Sequence, residues 1–291
     1  MFEFRQDLDI ILKTLDISSA DLCRQLGFDM PTVSNWLNGK FEPDARSKED
    51  IYSYAYTKGV RINTAYEQPL ITLGKNQGFK CLYHGSRKGI NGEIDIKHSK
   101  DNNDLGKGFY LGETLEQSSM FVSNDDKSHV YSYGLYLHDL NVYEYKIDTD
   151  WAIAVSYNRG LLQEYDSSSK LQKILAKSLN ADVIIAPIAD NRMLEIIDNF
   201  ASGIISAQAC AYALSALDLG KQYVLKTQKA INKLGFIKEY YECSEERKEY
   251  QRIRNEKQIS RQNAIKHYIS QNKQGKYIEE ILWEKVIMIA F

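Results

Sequence analysis

Two short glycine-containing motifs constrain this sequence more than any other feature, because each sets glycine at the border of a strand. In the first, the apolar-rich residues 79–83 predict a buried strand that leads into His84, Gly85 and Ser86. In the second, residues 104–111 read DLGKGFYL, so that two glycines precede an aromatic strand. Glycine at such places lets the backbone approach a ligand closely. The pair therefore predicts strand ends that contact a ligand.

The side chains beside these glycines suit the same purpose. His84 offers an imidazole, and Tyr110 offers a ring face for a flat heterocycle. A helix is predicted to follow, with Thr114 as its cap and with Ser118 and Phe121 in its next turns. Taken singly, these residues also fit a core aromatic or a hydroxyl on a helix surface. Their ordered occurrence favours a ligand site.

The segments LYHGSRKGI and DLGKGFYLGETLEQSSMF, about 20 residues apart, resemble the first and second motifs of the ADP-ribosyltransferase superfamily. The resemblance is to the His-Tyr-Glu branch, which includes the poly(ADP-ribose) polymerases and their mono-transferring relatives. The chain is also similar to small bacterial transferases with HGS…DxGKGFY, some of them from toxin or phage-defence systems. This resemblance implies an α+β fold, the ADP-ribosyltransferase fold of two packed small β-sheets with flanking helices.

The resemblance further implies NAD⁺ as cosubstrate, without a metal. His84 would bond the adenosine-side ribose, while Ser118 and the Gly85 backbone would hold the nicotinamide amide. Tyr110 and Phe121 would sandwich the nicotinamide ring. The residues implied to bind the cosubstrate besides His84 and Tyr110 are Gly85, Ser86, Ser118 and Phe121.

A third catalytic position is expected on a strand near the end of this domain, and residues 220–227 fit it. Gln222 then occupies the place of the glutamate, so the implied catalytic set is His84, Tyr110 and Gln222. An amide can bond the ribose but carries no charge and cannot act as a base. We therefore expect single transfer rather than polymer growth. Gly220, two residues earlier, disfavours an arginine acceptor.

The first sixty residues predict three short helices. Apolar residues recur at helical spacing from Phe4 to Leu15, Ser18 or Ser19 caps a second helix that Gly27 ends, and residues 30–40 form a third. The stretch SSADLCRQLGFDMPTVSNWLNGKFEP resembles the helix-turn-helix domains of phage-repressor type. The resemblance implies that base edges in the major groove of DNA are contacted by Thr32, Ser34 and Asn35, with Lys40 as the nearby cation.

The charge of this N-terminal segment limits that interpretation. Residues 1–60 hold seven Lys or Arg and ten Asp or Glu, a balance of −3. Affinity for DNA depends largely on cationic contacts with phosphates. DNA binding and a protein-docking or purely structural role therefore both remain open.

The chain is divided into a helix-turn-helix domain at 1–61, a linker at 62–77, a catalytic domain at 78–240 and a basic helical extension at 241–291. Further strands are predicted at 141–147 and 181–187, and a mostly helical stretch at 190–216. Residues 245–276 hold nine Lys or Arg and four Glu. Such a run is either a solvated helix face or a guide for nucleic acid. The cations concerned are Arg247, Lys248, Arg252, Arg254 and Arg261. The apolar residues 281–291 are expected to pack on the body or to form a partner site.

Overall composition adds mainly exclusions. A net charge of −2 gives no global sign of nucleic-acid or membrane binding, and no apolar run approaches the roughly 20 residues of a membrane span. The four cysteines show neither a CxxC pair nor zinc spacing, so they are expected to be buried thiols of a cytoplasmic protein.

The leading hypothesis is a mono-ADP-ribosyltransferase that modifies a protein or nucleic acid, as a toxin or phage-defence effector with an antitoxin partner. A second hypothesis is a helix-turn-helix transcription regulator whose transferase-like domain senses NAD⁺ without consuming it. A third, RNA 2′-phosphotransferase, is disfavoured because Tyr110 and Gln222 stand where those enzymes carry a basic cluster.

Overall fold

A computed structural model describes residues 4–189, 191–215, 220–271 and 274–283 of the chain. The chain divides into two compact units. The first comprises Met1–Asn91, Thr114–Tyr136 and Gly235–Arg254, and the second comprises Gly92–Glu113, Leu137–Leu234 and Asn255–Phe291. Each unit is mixed α and β, which confirms the α+β class in its general form.

Four helices open the first unit: α1 (Phe4–Leu15), α2 (Ser19–Leu26), α3 (Met30–Leu37) and α4 (Ala45–Thr57). Local signals set their ends, as the sequence predicts: Ser18 caps α2 in a reciprocal box with Asp21, and Gly27 ends it at φ +75°. The inward faces of α1 and α3 meet around Trp36, which is buried edge-on against Phe4. The predicted helix-turn-helix plan is confirmed.

The apolar core of this helical region also contains residues from far along the chain. Cys243 is fully buried within it, and Tyr241 packs against it with its ring 4.8 Å from that of Tyr52. Cys243 and the partly buried Tyr241 therefore complete the core that the first four helices begin.

Residues 62–77, interpreted from sequence as a linker, form two helices, α5 (Ile62–Ala65) and α6 (Glu67–Gln77). The periodicity is weak because Gly74 is the one buried residue of α6. That glycine packs on Phe79, since a Cβ at Gly74 would lie 2.6 Å from the Phe79 carbonyl oxygen. The segment therefore packs on the start of the next strand.

Three strands lie in the first unit: β1 (Lys80–Ser86), β3 (His129–Leu135) and β7 (Leu234–Tyr240), in the spatial order β1-β3-β7. Strands β1 and β3 are antiparallel, with His84 opposite Tyr131. Helix α7 (Leu115–Val122) begins at the Thr114 cap, as predicted, and packs on β1.

Four strands lie in the second unit: β2 (Phe109–Gly112), β4 (Val142–Glu144), β5 (Val183–Pro187) and β6 (Lys221–Leu225), in the spatial order β4-β5-β6-β2. Strand β4 is parallel to β5, whereas β6 is antiparallel to both of its neighbours. All four strands lie where the sequence predicts them.

The core of the second unit packs helices α8 (Thr149–Asn158), α9 (Ser169–Ala176), α10 (Asn191–Ala201) and α11 (Ala207–Ser215) with its strands, and the short helix α12 (Gln228–Ile231) follows β6. Trp151 at the centre of this core is fully buried. Helices α10 and α11 confirm the predicted helical stretch, whose end residues Asp190 and Ala216 lie outside the described residues. All four cysteines of the chain are free and buried, as expected.

Two helices follow β7: the 28-residue α13 (Ser244–Gln271) and α14 (Ile278–Leu282). Helix α13 confirms the helical pattern of the basic segment. Ile278 and Leu282 are buried in the core of the second unit, so the first part of the terminal apolar segment packs on the body. Residues 284–291, Lys273 and the side chain of Arg261 lie outside the described part.

Candidate functional site

The glycine of the first motif lies at a close approach between strand β1 and helix α7. A Cβ at Gly85 would lie 2.6 Å from the Ser118 carbonyl oxygen and 2.9 Å from a Val122 methyl group. Both distances are shorter than real Cβ contacts, so this packing requires glycine. Ser118 itself is buried. The structure therefore brings together Gly85 and Ser118, the two residues that the resemblance assigns to the nicotinamide amide.

The residues on either side of Gly85 are held by β3 and by the turn after β1. His84 is half-buried and lies opposite Tyr131. The Ser86 hydroxyl donates to the Gly89 carbonyl at 2.9 Å, and the Ile90 amide donates to the Tyr131 hydroxyl at 3.2 Å. The hydroxyl predicted to face a ligand at Ser86 thus holds the turn that follows the strand.

Phe121 lies at an open surface. Its side chain is 62% exposed, and the Arg87 guanidinium lies 5.8 Å from the centre of its ring. A cavity of about 230 Å³ adjoins the ring and is lined by Arg87, Phe121, Val122, Asn124, Asp125 and Arg254. All six residues belong to the first unit. The ring is available for stacking, although no second aromatic ring of that unit closes over it in this lining.

Tyr110 of the second motif closes the loop that contains the motif's own glycines. Its hydroxyl donates to the Gly106 carbonyl at 2.6 Å and accepts a hydrogen bond from the Leu105 amide at 3.2 Å. Burial raises the pKa of the Tyr110 hydroxyl above its ordinary value. Gly106 has a φ of +72°, which favours glycine at that point of the loop.

A buried lysine that the sequence patterns do not indicate holds the same loop. The Lys226 ammonium donates to the Leu105 carbonyl at 2.6 Å, and burial lowers the pKa of this lysine to about 8. Gly108, the other motif glycine, permits β2 to approach β6, since a Cβ there would lie 2.5 Å from a Val224 methyl group. The glycines and Tyr110 thus have packing roles in addition to any contact with a ligand.

Gln222 lies on β6 opposite Gly112 and Ala186 and is buried, with 9% of its surface exposed. Its side-chain amide donates to the Pro187 carbonyl at 3.0 Å. A glutamate at this position would set a carboxylate against a carbonyl oxygen with no proton to share. The fold therefore supplies a reason for glutamine rather than glutamate.

A carboxylate that the sequence reasoning missed lies beside this position. Glu113 directly follows Gly112, the partner of Gln222 across the strand pair. Its carboxylate accepts hydrogen bonds from the Lys221 amide at 3.3 Å and from the Tyr223 hydroxyl at 3.4 Å. The only sequence signal was an acidic residue just after the aromatic strand.

The candidate residues divide between the two units. Five lie in the first unit, and Tyr110 and Gln222 lie in the second. The five are His84, Gly85, Ser86, Ser118 and Phe121. Their assignment to a single reaction stays a prediction from the resemblance.

The four residues predicted to contact DNA differ in how accessible their side chains are. Asp29 caps α3, accepting from the Thr32 amide and from the Thr32 hydroxyl, both at 2.8 Å. These hydrogen bonds lower the pKa of Asp29. Ser34 and Lys40 are exposed and Asn35 is half-buried, so these three remain accessible. The hydroxyl of Thr32 serves the cap.

Carboxylates occupy the N-terminal ends of three successive helices in this region. Besides Asp29 on α3, Asp44 caps α4 by accepting from the Ser47 amide at 2.7 Å, and Asp21 completes the box that starts α2. Amides at a helix N-terminus are a common binding place for phosphate. Because carboxylates already accept from these amides, phosphate contacts at the three helix ends are disfavoured.

Two buried glutamates lie near the end of β7. Burial raises the pKa of Glu242 to about 7, and the nearby Ser119 hydroxyl and Arg247 act in the opposite direction. Burial and the nearby Glu242 raise the pKa of Glu246 to about 8. Glu246 accepts from the Asn63 amide at 2.8 Å. No sequence pattern distinguishes these two residues from exposed glutamates of the basic helix.

Comparison with known families finds one match to the N-terminal helices and another to the mixed α and β part of the chain that follows them. Residues 7–46 match the Cro/C1-type helix-turn-helix DNA-binding domain, which establishes the class of the N-terminal region. Residues 81–236 match the family described as a protein of unknown function, DUF3990. This match covers more than half of the chain, so the protein belongs to that family.

No curated protein and no solved structure matches the chain. Within the residues that the structure describes, no helix is both long enough and apolar enough to cross a membrane.

Proposed function

We propose that the chain is an NAD⁺-dependent mono-ADP-ribosyltransferase that modifies a macromolecular acceptor. The observation that carries the proposal is the close approach of Gly85 and Ser118, on two different elements of the first unit. The resemblance assigns both residues to one amide group of the cosubstrate. A chance similarity of two separate motifs does not require their residues to pack together.

In the proposed reaction the bond between nicotinamide and C1 of its ribose breaks, and nicotinamide leaves with the bonding electrons. A nucleophile of the acceptor then bonds to C1, and its proton passes to a base or to water. Gly85 and Ser118 hold the leaving group, and His84 orients the ribose. Binding at several points favours the reactive geometry.

The residue at the third motif position fits single transfer. Gln222 is a buried amide that bonds a carbonyl oxygen, so it offers no proton acceptor to a second, incoming ADP-ribose. The carboxylate of Glu113, beside Gln222, is the candidate within the second unit for an electrostatic contribution to transfer. Glu113→Gln is expected to lower the transfer rate, and Gln222→Ala is expected to lower it as well.

The test is transfer of label from NAD⁺, labelled in its adenylate part, to separate pools of RNA, DNA and cell protein. The wild-type chain is compared with His84→Ala and Tyr110→Ala. His138→Ala is the matched control, because His138 has a 76% exposed side chain and lies outside both motifs. We expect label on one pool, its loss in both motif variants, and unchanged labelling by the control.

A second candidate function is favoured by the helix-turn-helix match: a transcription regulator whose transferase-like domain senses NAD⁺. Absence of label on every pool, with NAD⁺ binding measurable by calorimetry, would replace the transferase with this sensor. If neither label transfer nor NAD⁺ binding is found, both proposals fail.

The biological setting that we propose is a bacterial toxin or phage-defence effector restrained by an antitoxin protein. Uncontrolled transfer of ADP-ribose to a cellular macromolecule would slow growth. Induced expression of the wild-type chain should therefore arrest growth, whereas expression of His84→Ala at the same level should not. Equal growth of the two strains would contradict the toxin interpretation but not the transferase.

A further inference from the structure

The cavity beside Phe121 carries the chemistry that binds a nucleotide unit of a nucleic acid. Two arginines line it: Arg87, in the turn that follows strand β1, and Arg254, in helix α13. Guanidinium groups bind phosphate oxygens through paired N–H donors. The Phe121 ring, 62% exposed, offers a stacking face of the kind on which bases of single strands lie. Phosphate and base are thus both provided for within one unit.

The basic helix contributes to this cavity selectively. Lys248 pairs with Glu245 at 2.8 Å, and Arg252 pairs with Glu249 at 2.6 Å, one helical turn away in each case. Arg247 donates to the Glu242 carbonyl oxygen. These three cations therefore belong to a solvated or self-paired helix face.

Arg254 differs from them. Within the described part of the chain neither Arg254 nor Arg87 forms an ion pair, and both line the cavity. Asp125, the one carboxylate of the lining, accepts a hydrogen bond from the Lys127 amide at 3.0 Å, which helps to offset its charge. The lining keeps an excess of one positive charge, which suits one phosphate.

The cavity is open to solvent, which favours a polymeric ligand over a small cosubstrate. Sites for small ligands commonly enclose 70–90% of the ligand surface. A site whose aromatic wall is 62% exposed encloses much less, which suits one residue of a chain that continues on both sides.

We infer that this cavity binds one nucleotide of a single-stranded nucleic acid, with its phosphate between Arg87 and Arg254 and its base on Phe121. This makes single-stranded nucleic acid the acceptor of the enzyme, a step that rests on the proposed function. It also assigns Phe121 to binding of the acceptor, whereas the resemblance assigns it to the nicotinamide ring.

The test is fluorescence anisotropy of the full chain with labelled, unstructured single strands of RNA and DNA, measured without NAD⁺ over a range of salt concentrations. Arg87→Gln and Arg254→Gln should each reduce the slope of log affinity against log salt by about 0.7, the value for one phosphate contact on a single strand. Phe121→Leu should weaken binding about 5- to 150-fold, the range expected for loss of one stacked base. The slope should not change in that variant.

Arg252→Gln is the matched control, since Arg252 is a cation two residues from Arg254 on the same helix and is already paired with Glu249. We expect it to leave affinity and salt slope unchanged. An equal effect of Arg252→Gln and Arg254→Gln would overturn the inference in favour of a diffuse basic surface. The inference would also be overturned if neither RNA nor DNA strands bound, or if an abasic strand bound with the same affinity as a strand that carries bases.

Failure of this inference and failure of the proposed function are separable. Transfer of label to protein alone, without binding of any strand, would remove the nucleic-acid acceptor and leave the transferase. Binding of strands with the expected variant effects, but without label transfer from NAD⁺, would keep the nucleotide site and remove the transferase.

Discussion

Replacing Asp7 with alanine should destabilise the first unit more than any other single change of a charged residue on α1. The Asp7 side chain is fully buried and lies 3.1 Å from the Lys238 ammonium of β7, whose side chain is 11% exposed. It also accepts hydrogen bonds from the hydroxyls of Tyr52 and Tyr66. One carboxylate therefore satisfies three donors: Tyr52 of α4, Tyr66 between α5 and α6, and Lys238 of β7.

The magnitude follows from what alanine leaves behind. The Lys238 ammonium would remain buried over the Tyr66 ring, 4.1 Å from its centre, without its carboxylate. Removing one partner of a buried ion pair typically costs about 3–5 kcal/mol, because the other charge stays desolvated. The two tyrosine hydroxyls also lose an acceptor. We expect Asp7→Ala to lower the free energy of unfolding by about 3–5 kcal/mol.

Urea denaturation followed by circular dichroism measures this quantity, and Asp9→Ala provides the matched control. Asp9 lies on the same helix and pairs with Lys13 at 2.6 Å, but its side chain is 52% exposed and that of Lys13 is 75% exposed. Exposed pairs of this kind contribute about 0.3–0.5 kcal/mol. The two aspartates lie on the same helix and each pairs with a lysine, but only Asp7 is buried.

Equal losses from Asp7→Ala and Asp9→Ala would refute the reasoning from burial. A double variant, Asp7→Ala with Lys238→Met, tests whether the unpaired lysine causes the loss. Removing the stranded ammonium should recover part of the loss, because a well-packed apolar side chain avoids the desolvation cost. A double variant less stable than both single variants would contradict the assignment of the loss to the unpaired lysine.

Three further variants test the site and its surroundings. Glu242, with its pKa raised to about 7, stays protonated in the folded state at pH values where the unfolded state has released that proton, so stability should fall as pH rises from 4.5 to 7. Glu242→Gln should reduce the difference in stability between pH 5 and pH 8 in denaturation, with the rest coming from the raised pKa of Glu246, and an unchanged difference would contradict the assignment to Glu242. Gly85→Ala should cost about 1–3 kcal/mol in thermal unfolding because its Cβ would lie 2.6 Å from the Ser118 carbonyl oxygen, whereas Gly235→Ala, with its nearest atom at 3.8 Å, should cost clearly less. Tyr110→Phe should cost about 1–3 kcal/mol by leaving two buried backbone groups unpaired, and a stability equal to wild type in the same melts would show that the hydroxyl does not hold the loop.

Features fixed by neighbouring residues could be predicted from the sequence. The cap at Ser18, the stop at Gly27 and the cap at Thr114 depend on side chains within three residues, and the structure has all three. The strand and helix around Gly85 and Ser118 follow from apolar runs bounded by glycine and by that cap. Local physical chemistry determines these elements.

Features fixed by distant residues could not be predicted. The low pKa of Lys226 depends on burial under a loop about 120 residues away, and Gln222 finds its acceptor in Pro187 on another strand. Strand β3, residues 129–135, was not predicted because six of its seven residues are buried and polar and apolar residues do not alternate clearly along it. Such features exist only once the chain has folded around them.

The sharing of one core by the first helices and residues 241–243 has a consequence for synthesis on the ribosome. Asp7 and its partner Lys238 are separated by 231 positions along the chain. At about 5–20 residues per second, the second of them emerges roughly 10–45 s after the first. During that interval the nascent helix-turn-helix lacks Cys243, Tyr241 and the lysine that neutralises its buried carboxylate. The helix-turn-helix domain therefore completes its core only after residues 238–243 have been synthesised, so a product truncated before them would carry an incompletely folded helix-turn-helix domain.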